Sequence, residues 1–192
     1  VSIDFMASSW REIQTSLLVK TINNKRIKSF LTFDIFDYSN PIDNNADGFT
    51  DLSLRKRYTL FNKMNFYSLK NPNNPFKLSL RFMNENRWGG QMDWNESFRG
   101  SNQLYGESIL TDRIEVGTSY RFPTKERLTW NSSYSWHKQR SWYGNNTYNA
   151  LQVIGFSQFT WRKKWSEKFN LLSGLALRYN YYDDNTPATI NE

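Results

Sequence analysis

Apolar and polar side chains alternate with a period of two along most of this chain, the pattern of strands with two unlike faces. The clearest run is Phe169 to Tyr182. One face reads Phe169, Leu171, Ser173, Leu175, Leu177, Tyr179 and Tyr181, and the other reads Asn170, Leu172, Gly174, Ala176, Arg178, Asn180 and Tyr182. The first face is aliphatic in its middle and aromatic at both ends, the order expected of side chains that meet a hydrocarbon layer between two interfaces. Twelve such residues span roughly 40 Å of strand, or about 28 Å of height at a ~45° tilt, which fits a bilayer core. The alternation recurs through Phe76, Leu78, Leu80 and Phe82, through Ile114 to Phe122, and through Leu128 to Trp136. It is less regular in 54–68, where Lys56 and Asn62 fall on the face that carries Tyr58, Leu60, Met64 and Phe66. Lys56 fits a place outside the bilayer, whereas the pattern gives no account of Asn62.

Strands are predicted near 10–21, 26–38, 54–68, 76–86, 107–122, 126–139, 148–162 and 167–182. Short connections fall near Asn23–Asn24, Pro72–Pro75, Pro123–Lys125 and Lys164–Ser166; long ones cover about 39–53, 86–106 and 140–147, and another opens at Asp183–Glu192. Short turns on one side and long loops on the other are the sidedness of bacterial barrels, with the turns in the periplasm. The expected fold is therefore all-β: an antiparallel up-and-down transmembrane β-barrel wall of about eight strands, filling residues 1–192 as one partial barrel domain. Strands of 10 to 15 residues exceed the usual five or six of soluble sheets. A β-sandwich is the soluble competitor. A propeller would need four short strands where two long ones are read.

Composition agrees with two solvated faces. Hydrophobic residues make up 38% of the 192, mean hydropathy is -0.76, and yet aromatic residues reach 17%, too many for a disordered chain. There is no cysteine and a single histidine, His137, which excludes disulfides, thiolate sites and multi-histidine metal centres. No basic start followed by an apolar core opens the chain, so it reads as a mature chain or a fragment. The net charge of +7 does not form one patch of the kind nucleic acid requires. The cations recur at predicted turns: Lys25, Arg26 and Lys28; Arg121, Lys125 and Arg127; Arg162, Lys163, Lys164 and Lys168. That placement runs against the assigned sidedness, since anionic outer-leaflet lipid would favour basic long loops.

Several stretches resemble TonB-dependent outer-membrane receptors: Asp47 to Phe66 (DGFTDLSLRKRYTLFNKMNF), Asn84 to Trp94 (NENRWGGQMDW), Leu104 to Arg113 (LYGESILTDR), Phe122 to Glu126 (FPTKE) and Leu177 to Thr189 (LRYNYYDDNTPAT). The resemblance implies a barrel of ~22 strands whose lumen holds a plug. It implies ligand-gated uptake of a scarce nutrient (a metal chelate, a cobalamin or a glycan) across the outer membrane of a Gram-negative bacterium, driven through the TonB complex. The partners so implied are outer-membrane lipid, the remainder of the barrel with its plug, and TonB through segments this stretch does not contain; no nucleic acid is expected. Plug, TonB-contacting segment and aromatic-ended last strand are all missing, so the sequence reads as a middle piece of such a barrel. Two rivals are a small complete eight-stranded outer-membrane barrel, adhesive or structural, and a soluble glycan-binding β-protein.

Two loops could carry chemistry. In Asp43-Asn44-Asn45-Ala46-Asp47-Gly48-Phe49-Thr50-Asp51, oxygen-bearing side chains at Asp43, Asn45, Asp47 and Asp51, with the Phe49 carbonyl, match the first part of an EF-hand calcium loop. The twelfth position is Leu54 instead of a bidentate glutamate, and an Asx-rich turn is the competing reading. No cofactor is required, and Ca²⁺ in this extracellular loop is the one considered. Around Trp88, Gly89, Gly90, Trp94 and Tyr105, aromatic faces could stack on a sugar or a planar ligand, or pack the loop on itself. Trp142 and Tyr143 have the same two readings, and Asp183 and Asp184 read as a solvated edge. Arg81, Arg113, Glu115, Arg121 and Arg178 fall on the lumen face, where contact with a plug or an anionic ligand competes with ordinary solvation. His137 has no identifiable nucleophile beside it, and no enzymatic activity is expected.

Overall fold

In the computed structural model, which describes residues 1–69 and 71–187, the chain is all-β. Nine antiparallel strands follow one another in a single open sheet, each hydrogen-bonded to its neighbours in sequence. They are β1 Ser2–Ala7, β2 Ile13–Asn23, β3 Ile27–Tyr38, β4 Leu54–Ser68, β5 Asn71–Gly90, β6 Gly106–Arg121, β7 Arg127–Tyr143, β8 Asn146–Lys164 and β9 Asn170–Asp184. The expected eight become nine because β1, six residues long, was too short to be read from its alternation. No second layer packs on the sheet among the described residues, and no helix there is long and apolar enough to cross a membrane.

Directly opposed residues of an antiparallel pair share a face, so the register assigns every side chain. One row runs Leu17, Phe33, Leu60, Phe82, Ile114, Trp136, Val153 and Tyr181 from β2 to β9. The row two residues further from the loops runs Leu31, Asn62, Leu80, Val116, Tyr134, Gly155 and Tyr179. These rows form an apolar band continuous across the sheet. The opposite face carries Asp34, Thr59, Met83, Arg113, His137 and Gln152 in one row. On it Arg81 and Arg113 both pair with Glu115, at 3.4 and 2.8 Å, and Arg57 pairs with Glu85 at 3.8 Å.

Asn62, the polar residue in the apolar band, is satisfied within the sheet. Its Nδ2 donates to Ser29 Oγ at 3.1 Å and to the Phe30 carbonyl at 2.9 Å, while Thr21 Oγ1 donates to the same Ser29 hydroxyl. Asn62→Asp keeps the shape but sets an acceptor-only carboxylate against that carbonyl. It is expected to cost about 2–3 kcal/mol, read as a lowered urea midpoint against wild type. Lys56 stands beyond the band and pairs with Asp37 at 3.9 Å.

The strands outlast the apolar band on the loop side. Beyond Phe82, Ile114 and Trp136 the same face continues as Asn84, Asp112 and Lys138, with Asn84 bonded to Asp112 at 2.7 Å and Arg140 paired to Asp112 at 3.4 Å. The 140–147 segment, expected as a long loop, is instead the tip of a tight hairpin: Tyr143 pairs with Asn146 across Gly144-Asn145, and Gly144 takes a φ of 59°. At the other edge, Phe66 pairs with Phe76 but Ser68 pairs with Asn71, so residues 72–75 bulge out of the ladder. Pro72 and Pro75 fall in that bulge, where no ladder N–H is required of them. Of the loop expected at Asp183–Glu192, the part beyond residue 187 lies outside the described residues.

Candidate functional site

The β3–β4 connection (39–53) and the β5–β6 connection (91–105) meet above the end of β5. Phe49 forms an isolated antiparallel bridge with Gln91, Thr50 N donates to the Gly90 carbonyl at 2.8 Å, and Met92 N donates to the Gly48 carbonyl at 2.9 Å. Gln91 clamps Tyr105 from both sides: its N donates to the Tyr105 carbonyl and its Oε1 accepts from Tyr105 N at 2.7 Å. The two loops thus form one hydrogen-bonded unit.

Two glycines make this approach feasible. Gly90 has a φ of 142°, and a Cβ there would lie 2.5 Å from Gly106 Cα and from the Tyr105 carbonyl oxygen. A Cβ on Gly106 would enter the Trp94 indole at 2.4 Å. Trp94 is accordingly buried across the Gly106 backbone. Beside it a short 3-10 turn, Glu96–Phe98, is capped by Asn95, and Arg99 lies 5.0 Å over the Trp142 ring while its Nε donates to Ser108 Oγ at 3.0 Å.

Where the unit leaves the sheet, a cleft of about 380 Å³ opens between the two loops and β5–β6. Trp88, Tyr105, Phe49, Asp51, Arg87 and Glu107 line it. Of the three aromatic residues singled out in the sequence, Trp88 and Tyr105 border the cleft, whereas Trp94 is spent on loop packing. Trp88 also leans on a small cluster of Phe36, Tyr38 and Leu54. The Tyr105 hydroxyl donates to Glu107 Oε1 at 3.1 Å, which raises its pKa above the ordinary phenol value. Arg87 and Glu107 were not found by sequence reasoning, and Asp51 was read only as part of the acidic loop; the three come together through the pairing of Gly89 with Glu107 and the folding-over of the β3–β4 loop.

The acidic loop closes on its own amides. Asp43 accepts from Asp47 N at 3.2 Å and from Gly48 N at 2.9 Å, Asp47 accepts from Phe49 N at 2.8 Å, and Asp51 accepts from Asn44 N at 2.9 Å. The Asn45 amide bridges to Asp47 at 2.9 Å. This is an Asx-rich turn in which Asp43, Asn45, Asp47, Phe49 and Asp51 surround one stretch of backbone, and no group of three or more acidic or histidine side chains converges as a metal cage among the described residues. Ala46 occupies the left-handed region, φ 58°, at a cost of ~1 kcal/mol that glycine would not incur. Ala46→Gly is therefore expected to stabilise the loop by about that amount, seen as slower amide exchange over residues 44–51.

The lumen-face candidates do not gather into one site. Arg81, Arg113 and Glu115 form the ion-paired group above, whereas Arg121 ends β6 at the turn edge and Arg178 stands opposite Phe156 on β9. His137 lies in the ladder between Arg113 and Gln152. Trp142 packs under Arg99, Tyr143 closes the β7–β8 hairpin, and Asp184 accepts from Tyr148 at 3.3 Å.

In comparison with known proteins, the chain matches no protein family, no curated protein and no solved structure.

Proposed function

We propose that this chain is wall from the barrel of a TonB-dependent outer-membrane receptor, importing a scarce nutrient by ligand-gated transport. The carrying observation is where the apolar surface lies. Among the described residues only Phe36, Tyr38, Leu54 and Trp94 are buried hydrophobics, while Leu60, Phe82, Ile114, Tyr134, Phe159 and Leu177 stand exposed on one continuous face. A water-soluble domain of this length hides such side chains in a core. A bilayer accepts them where they stand, with the polar face turned to a wet lumen.

The edges of the sheet favour a larger barrel over a small complete one. β1 and β9 are not paired with each other, and an unpaired edge cannot face hydrocarbon, where each unsatisfied backbone group costs several kcal/mol. In the proposed reading further strands continue the ladder on both sides. In this reading the loop edge faces the cell exterior, and the cleft at Trp88 and Tyr105 belongs to the ligand-gating surface. Calcium at the Asp43–Asp51 turn is a secondary proposal, checked by calorimetric titration of the purified protein with Ca²⁺.

The test is the intact mass of the native gene product in purified outer membranes. At about 21 residues per strand, from 192 residues and nine strands, ~22 strands with a plug predict ~70 kDa or more. Growth on the limiting nutrient should fail equally without the gene and without TonB. A product near 23 kDa would remove the receptor reading.

A further inference from the structure

The two ends of the sheet carry opposite charge. At the turn edge, residues 24–28, 121–127 and 162–168 hold ten lysines and arginines against two glutamates. At the loop edge, residues 8–12, 39–53 and 91–105 hold six carboxylates against two arginines. Immediately inside the basic edge runs a belt of rings in contact. Phe66 lies 6.1 Å from Phe76, Phe76 6.3 Å from Tyr120, and Tyr120 4.9 Å from Phe122; further along, Trp130 stacks on Phe159 at 6.2 Å and Trp165 meets Phe169 at 6.3 Å.

Lys163 joins belt and edge. It shares the apolar face with Trp161, lies 5.7 Å over that ring and 5.3 Å over Trp165, and is tied to Glu126 at 3.2 Å. Its stem therefore follows the aromatic surface and delivers the ammonium at the outer margin of the band, the posture of a lysine that keeps its charge in a headgroup layer. Aromatic rings at headgroup depth with cations just beyond them form a surface complementary to anionic lipid.

We infer that the turn edge is a rim that binds the headgroups of anionic glycerophospholipids in the leaflet it meets. The inference rests on the membrane-wall reading, and under the sidedness above that leaflet is the periplasmic one. It also accounts for the cations that sit at the turns instead of the long loops. Those cations match a phospholipid surface below, and the acidic loops keep the opposite edge from engaging lipid phosphates.

The experiment uses the full-length protein reconstituted into vesicles of phosphatidylethanolamine containing a minor share of phosphatidylglycerol. Carbonate-resistant flotation is expected for wild type and for the variant K125Q/R127Q/K163Q/K168Q. Wild type is expected to enrich phosphatidylglycerol among the lipids retained in native mass spectrometry, and the variant to lose about tenfold of that preference. Added inorganic phosphate should not compete. Flotation without any preference for phosphatidylglycerol would overturn the rim and leave the wall reading intact. In vesicles that also contain lipid A, a stronger enrichment of lipid A than of phosphatidylglycerol would overturn it by placing this edge in the outer leaflet. Failure of wild type to resist carbonate would overturn the wall reading and the rim with it.

Discussion

If the apolar band faces lipid, as proposed, Val116→Arg is expected to cost about 2–4 kcal/mol of stability in a bilayer, the penalty for an arginine on a lipid face near mid-membrane. Val116 lies in the interior of the apolar band, between Leu80 and Tyr134 in the register. Ser133→Arg supplies the control. Ser133 stands between Gly117 and Phe156 on the opposite face, where water reaches the guanidinium, and its cost should stay below ~1 kcal/mol. Urea refolding into vesicles measures both. Equal costs would mean that the two faces meet the same solvent, which no membrane-wall reading survives.

Gly106→Val is expected to open the loop unit. The first added carbon already enters the Trp94 ring, and the neighbouring backbone is fixed by the Gly90–Gly106 and Gly89–Glu107 pairs, so the indole has to leave its seat. Overpacking of this kind costs typically 1–3 kcal/mol, and the buried area of a tryptophan is lost in addition. Amide exchange over residues 91–105 should rise by one to two orders of magnitude while β7–β9 are unchanged. The ligand binding proposed for the Trp88–Tyr105 cleft should weaken in the same variant, because Tyr105 is held through Gln91 within the unit that opens.

The strands were legible where the environment differs between the two faces. From Ile114 to Phe122 and from Leu128 to Trp136, one face is apolar and the other polar, and the period of two is plain in the sequence. Immediately past Ile114 and Trp136 toward the loops both faces turn polar, with Arg113 and Asp112 opposite His137 and Lys138, and alternation is interrupted although the ladder continues. That is why residues 140–147 read as a loop when they are a hairpin tip. Pro72 and Pro75 misplaced a turn for a different reason. They signal a break in hydrogen bonding correctly, but the break is a bulge within β5, between the Ser68–Asn71 and Phe66–Phe76 pairs. Asn62 could not be explained in advance because its partners, Ser29 and Phe30, are more than thirty residues away.

The candidate site was legible in its aromatic residues and not in its charges. Trp88 and Tyr105 stood out as rings beside glycines. Arg87 and Glu107 are ordinary in composition, Asp51 stood out only within its own acidic loop, and the three acquire a common location only when two loops fold over one strand end. Trp94 shows the opposite case: a conspicuous ring whose work is to lie across Gly106.

The up-and-down order has a consequence for how such a sheet is made. Every ladder between these nine strands joins strands adjacent in the chain, so each hairpin can close before the next has emerged. Loop-closure entropy is then spent in small steps, the condition under which sheets form fastest. A hairpin is also a self-contained unit of register. One can be gained or lost without rewriting any other pair, which gives a meander of this kind a simple route to change its circumference by duplication or deletion of two strands at a time.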